Sequence, residues 1–256
     1  MADRPDLEPS PSQSAGDPVS GGNSSATATA SPGHVASPWH SAAALVFVDD
    51  IDTPRLDPAD AHHLSRVLRI RAGSTICLSD GDGSWRTGDF DGSSALDRMS
   101  EPATESRPSM PLTVGLALVK GEKPELVVQK LTEIGIDRIV FFESRRSVAR
   151  WKGDKAERNV DRLARVAASA SSQSRRLFIP TVEFADLAVL LESGAVVADF
   201  GGRKLGPDDS TVLIGPEGGW EPGEYGSAPT VHLGSNVLRA ETAAISAAVR
   251  MCSMTR

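Results

Sequence analysis

The chain has 256 residues, 27 Lys and Arg against 34 Asp and Glu, and a formal net charge of −7. That length suffices for one large domain or two smaller ones, and the acidic balance excludes a protein that coats nucleic acid by bulk attraction, though not a local basic face. Cys77 and Cys252 are the only cysteines, which excludes a disulfide framework and a cysteine metal cluster and fits a reducing compartment. The sequence has no apolar run of about 18 residues and no basic-then-apolar leader, so a cytoplasmic enzyme with no membrane span is expected.

Residues 1–38 are mostly Ser, Pro, Gly, Ala and Asp, with almost no large apolar groups. Such a segment cannot offset the entropy of ordering, and a disordered tail is expected. Residues 39–107 read as a small β-rich domain. ALVFVDD, Ala44 to Asp50, is a strand candidate. Pro58, Ala59 and Asp60 open a short helix, with Leu64, Val67 and Leu68 at helical spacing until Gly73. TICLSDGDGSWRTGDF then reads as strand, Asp/Gly hairpin, strand. Arg66, Arg69 and Arg71 suit either phosphate contact or a solvated face. No Cys or carboxylate cluster accompanies His62 and His63, which favours packing or surface roles for them.

RPSMP, Arg107 to Pro111, is a linker candidate, and from 108 to 256 the composition becomes α/β. TVGLALV, Thr113 to Val119, is a continuous apolar strand. Pro124 suits a first helical turn, Leu126, Val127, Lys130, Leu131 and Ile134 form a helical stripe, and Gly135 ends it. RIVFF, Arg138 to Phe142, is the next strand, so a parallel sheet with a right-handed crossover is expected. A second helix is expected over 154–172 and a short one over 183–192. AVVADF, Ala195 to Phe200, reads as a strand followed by the polar loop GGRKLGPDDS. TVLI and TVHL add two strands, for five in all, and an Ala-rich helix ends the chain.

Gly201, Gly215 and Gly234 would then each stand just past a strand, and glycine turns at one sheet edge make a ligand crevice with main-chain walls. The chain has no GxGxxG after an early strand and no GxxxxGK[ST], so neither common phosphate-binding loop is supported. Backbone N–H and C=O groups suit an adenine edge, which also alternates donors and acceptors. Arg239 and Glu241 open the last helix. The helix dipole explains Glu241 but not Arg239, a cation suited to clamping an anion at the pocket rim. Arg145, Arg146, Arg175 and Arg176 could extend that surface.

Four segments, GEKPELVVQKLTEIGIDRIVFFESRRSV, SSQSRRLFIP, LIGPEGGWEPGE and LGSNVLRAETAA, occur in this order. Together they resemble the bacterial 16S ribosomal RNA uridine-N3 methyltransferases of the SPOUT superfamily, over about residues 44–252. The resemblance implies an α/β domain with a deep trefoil knot at 108–256, a PUA-like β-barrel RNA-binding domain at 39–107, and a homodimer. It implies methyl transfer from S-adenosylmethionine to a uridine N3 of 16S rRNA within the small subunit, with no metal. The cofactor would lie against Phe200 and Gly201; against Ile214, Gly215, Pro216, Glu217, Gly218 and Gly219; and against Leu233, Gly234, Asn236, Val237 and Leu238. Arg239 would position substrate, with Glu217 or Glu241 as candidate proton acceptor. RNA contacts would come from Arg66, Arg69, Lys120, Lys123, Arg145, Gln173 and Arg176, some of which could instead brace the knot. The chain departs from the family pattern at Ser144 and Ser172, where Glu is usual, and in short stretches at 180–212 and 221–231. A methyltransferase of another RNA position, a non-catalytic RNA-binding assembly factor and a metabolic α/β enzyme are the competing readings.

Overall fold

A computed structural model describes residues 37–121 and 123–255. The expected disordered tail, up to residue 36, lies outside the described residues.

The small N-terminal part opens with α1 (Pro38–Ser41) and β1 (Leu45–Phe47). α2 (Pro58–His62) starts where the Asp57 side chain accepts the Asp60 N–H at 2.7 Å, and it runs into a wider helical turn, His63–Val67. β2 (Ser74–Ser79) and β3 (Ser84–Phe90) form the expected antiparallel hairpin. In its loop, Asp80 Oδ1 accepts the N–H groups of Asp82 and Ser84 at 2.7 and 3.0 Å. β4 (Leu96–Asp97) and β5 (Ala103–Thr104) both pair with β3. Side chains alternate across this sheet. Val46, Ile76 and Leu78 enter one apolar cluster, and Leu45, Cys77 and Trp85 enter another.

The second part contains β6 (Thr113–Ala117), α3 (Lys123–Ile134), β7 (Arg138–Phe142), α4 (Asp154–Ser174), β8 (Thr181–Phe184), α5 (Leu187–Glu192), β9 (Val196–Lys204), β10 (Thr211–Ile214), β11 (Thr230–His232) and α6 (Ala240–Thr255). Its sheet is parallel throughout, in the order β11-β9-β10-β6-β7-β8. Val114, Leu116, Ile139, Phe141, Val212 and Ile214 point to one face and pack on α3, α4 and α6. Ala117, Val140, Phe142, Val197 and Leu213 point to the other, under α5 and the side chains of Trp220 and Tyr225. Apolar burial on both faces explains why these strands read as unbroken hydrophobic runs.

Three expectations need correction. The sheet has six strands rather than five, because residues 181–184 form β8 and the helix begins only at Leu187. Val182 is buried, and Arg138 on β7 grips Glu183 on β8 at 2.7 Å, so tertiary pairing outweighs the helical spacing. β9 continues through Gly201 and Gly202 to Lys204, where β11 pairs with it after a register shift. Gly201 therefore lies inside a strand, at φ 93, rather than just past one. Gly202 admits β11 closely, since a Cβ there would stand 2.5 Å from the Val231 nitrogen.

The two parts are joined by more than the linker. Ser172 Oγ donates to the Leu45 carbonyl at 2.5 Å, and Ile179 N–H donates to the Gly81 carbonyl at 2.9 Å. Arg175, left-handed at the end of α4, donates to the carbonyls of Ala42 and Ala43. Leu177 is buried among Ala42, Leu45, Cys77 and Trp85. Burial pushes the Cys77 thiol up to about 12, so it packs as an inert apolar group. Arg107 of the linker pairs with Asp82 at 2.6 Å and lies over the Phe178 ring.

Candidate active site

Segments from β9, from the turn after β10 and from the β11–α6 connection converge on an open cleft. From β9 come Ala198, Asp199 and Phe200. The turn after β10 supplies Ile214, Gly215, Pro216, Glu217, Gly219 and Trp220. The loop from β11 into α6 supplies His232, Leu233, Gly234, Asn236, Val237, Leu238, Ala240 and Ala243. The structure thus brings together every expected cleft residue except Gly201 and Gly218. The Gly218 carbonyl turns away to accept from Arg146 at 3.2 Å.

The walls leave room for a ligand at the main chain. Gly219 and Gly234 have φ values of 69 and 148, and a Cβ at either would meet no other protein atom within 4 Å. Gly215 serves a different purpose, since a Cβ there would stand 2.8 Å from Trp220. That indole stacks on Phe142 with ring centroids 5.9 Å apart, and its N–H donates to the Ala198 carbonyl at 3.2 Å. It closes the floor of the cleft in the segment where the sequence is short. The Glu224 carboxylate pins the same segment, accepting the N–H groups of Arg145 at 2.7 Å and Glu221 at 2.9 Å.

Charge at the mouth is organised by Lys123 at the start of α3. Its ammonium pairs with Glu217 and lies 3.5 Å from Glu241 Oε2, so it links α3, the β10 turn and α6. The bond from Lys123, aided by the nearby Arg239 charge, holds the Glu217 carboxyl below its ordinary value. An ionised, lysine-bound carboxylate is a weak proton acceptor, which counts against Glu217 as base. Arg239 is exposed, and its neighbours Leu238 and Ala240 line the cleft, so it stands on the rim.

The expected RNA contacts divide. Arg66, Arg69, Lys120, Arg145 and Gln173 are exposed. Lys123 is committed to the mouth of the cleft. Arg176 faces inward. Its guanidinium donates to the Thr132 and Ile136 carbonyls at 3.1 and 2.6 Å and to Asp137 Oδ1 at 2.8 Å, with the two side chains 13% and 6% exposed. His62 and His63 are exposed on the small domain. Asp199, Trp220 and Tyr225 escaped the sequence reading, since their contacts join residues more than twenty positions apart. The only local signal was an acidic residue at the end of an apolar run. Among the described residues, no group of three or more His, Cys, Asp or Glu could hold a metal ion.

Comparison with known proteins agrees with this geometry. A model of the RNA methyltransferase domain matches residues 105–251, and a model of the RNA methyltransferase PUA domain matches residues 56–90. The chain is 32% identical to the ribosomal RNA small subunit methyltransferase E of Mycobacterium bovis, over 79% of this chain and 88% of that protein. It is 28% identical to the Bacillus subtilis protein of the same name, over 77% and 88%. Among solved structures, a probable rRNA-methyltransferase of Porphyromonas gingivalis superposes with a TM-score of 0.67 at 29% identity, covering 83% of this chain and 98% of that one. The small subunit methyltransferase E of Neisseria gonorrhoeae, solved with S-adenosyl methionine bound, gives 0.70 at 24% identity over 82% and 97%, a likeness of fold.

Proposed function

The chain belongs to the RNA methyltransferase family that includes the ribosomal RNA small subunit methyltransferases E, and from that premise we propose that it transfers a methyl group from S-adenosylmethionine to a uridine N3 of 16S rRNA. The observation that carries the reading is the cleft itself, where three neighbouring segments meet and the open faces of Gly219 and Gly234 leave space at the main chain. Ile214, Pro216, Leu233, Leu238 and the open faces of Gly219 and Gly234 would hold the donor. When bound, the donor supplies an electrophilic methyl on a sulfonium.

The protein's own part is alignment, exclusion of water and charge management. Arg239 on the rim would orient the uracil and stabilise negative charge developing on an oxygen beside N3. The N3 proton must leave before or during attack. Of the two carboxylates first considered, Glu217 is held by Lys123 and Glu241 lies 3.5 Å from the same ammonium, so Lys123 restrains both.

Further elements of the proposal are the assembled small subunit as substrate, a homodimer, the trefoil knot, a PUA-like barrel at 39–107 and the exposed Arg66 and Arg69 as part of the RNA grip. No helix among the described residues is long and apolar enough to cross a membrane. The test is isotope transfer from labelled donor to 16S rRNA, free and within subunits, followed by mass mapping of the nucleoside. Label at uracil N3 is expected. Label on ribose or on another base would reject the assignment, and RNA binding without transfer would favour an assembly factor.

A further inference from the structure

Two carboxylates line the cleft, Asp199 and Glu217, and their surroundings differ. Glu217 is neutralised by Lys123, with Arg239 adding positive field. Asp199 meets neutral donors. Its Oδ1 accepts the Phe200 N–H at 2.7 Å and its Oδ2 accepts the Tyr225 hydroxyl at 2.7 Å. No Lys, Arg or His forms an ion pair with it among the described residues. A carboxylate has about four acceptor sites, so two remain for a ligand. Tyr225 is fixed in turn by its edge-on contact with Trp220, at 5.7 Å between ring centroids. Its phenol is pushed above its ordinary value by the Asp199 carboxylate, so it remains a donor and the carboxylate keeps its place. A net negative charge thus sits rigidly in a concave, largely apolar wall, where protein fields are concentrated.

We propose that Asp199, positioned by Tyr225, recognises the positive charge of the methyl donor and makes the cleft prefer the donor over its demethylated product. The inference rests on the methyl-donor reading above. The donor carries a sulfonium and an ammonium against one carboxylate. Transfer leaves the broken C–S bond pair on sulfur, so the product is a neutral thioether with one positive charge fewer. A fixed anion with no cation of its own binds the first more strongly than the second and favours exchange after each turnover. Glu217 cannot do this, because Lys123 already satisfies it.

The experiment is calorimetric titration of the full chain with S-adenosylmethionine and with S-adenosylhomocysteine. Asp199→Asn keeps the shape and removes the charge; its one amide oxygen can still accept the Phe200 N–H, while its NH2 donates to the Tyr225 oxygen in place of accepting from it. It is expected to weaken donor binding about tenfold and product binding less than about threefold, the scale of a charge interaction across several ångströms of partly solvated cleft. Asp199→Glu should restore part of the preference. Tyr225→Phe leaves the charge but frees the carboxylate, so the preference should fall by less than in Asp199→Asn; a fall larger than in Asp199→Asn would assign the effect to the phenol and overturn the proposal. Equal losses for both ligands in Asp199→Asn, or no loss, would also overturn it. Should the Asn variant fail to fold, Asp199→Ser is read by the same ratio. Wild-type protein that binds neither ligand would sink the methyl-donor reading as well, whereas intact wild-type binding with an unmoved ratio sinks this inference alone.

Discussion

Replacing Arg176 by Met tests whether that residue braces the fold or grips RNA. Its guanidinium and the Asp137 carboxylate are 13% and 6% exposed, and together they tie three segments. Arg176 donates to the end of α3 through Thr132 and Ile136, while Asp137 Oδ2 accepts the Leu112 N–H at 2.8 Å ahead of β6. Removing the cation strands a buried anion, a change that costs about 3–5 kcal/mol in such sites. At about 2–4 °C per kcal/mol for a domain of this size, the melting temperature should fall by roughly 6–20 °C. The double variant Arg176→Met/Asp137→Leu should recover only part, because the Leu112 N–H then lacks its carboxylate. Scanning calorimetry reads the stability, and filter binding at a temperature where both proteins are folded reads RNA affinity. An unmoved melting temperature with lost RNA affinity would refute the bracing role.

Other expectations concern the cleft. Arg239→Ala should lower methyl transfer by at least about a hundredfold while leaving donor affinity within about threefold, read by isotope incorporation and calorimetry. Parallel losses in both would mean that Arg239 holds the donor rather than the uracil. Gly234→Val should cut donor affinity, since its side chain would enter open cleft, and should cost about 1–2 kcal/mol because φ 148 suits glycine. Gly218→Val, whose Cβ would face the Arg146 side chain at 3.8 Å outside the cleft, should leave donor affinity unchanged. Lys123→Met should raise the Glu217 pKa, followed by carbon NMR of the carboxyl. Because the folded value is depressed, the pair stabilises the fold above the ordinary carboxylate range, and that contribution is lost as pH falls through the folded value. An unmoved Glu217 titration would assign the depression to Arg239 instead.

Much of this was readable from the chain. RIVFF gives β7 to the residue, because a strand buried on both faces is apolar at consecutive positions and Gly135 marks its entry. The glycine turns and the LGSNVLRAETAA segment located two walls of the cleft. What escaped depends on partners distant in sequence. GGRK reads as loop by composition, yet it is strand because β11 supplies its hydrogen bonds. Residues 183–192 carry helical spacing that pairing with β7 partly overrides. Arg176 looks like any surface arginine until Asp137 is placed beside it, and Asp199 acquires its role only when Tyr225 folds back across 26 positions.

The segment from Ser172 to Ile179 has a consequence for how such chains recombine. Although it belongs to the catalytic half by sequence, Leu177 is buried in the small half and Arg175 and Ser172 cap main-chain oxygens there. A cut at the linker would therefore leave a hydrophobic scar on both fragments instead of yielding two tidy modules. Grafting a foreign RNA-reading head onto this catalyst would demand transplanting that eight-residue peg along with it.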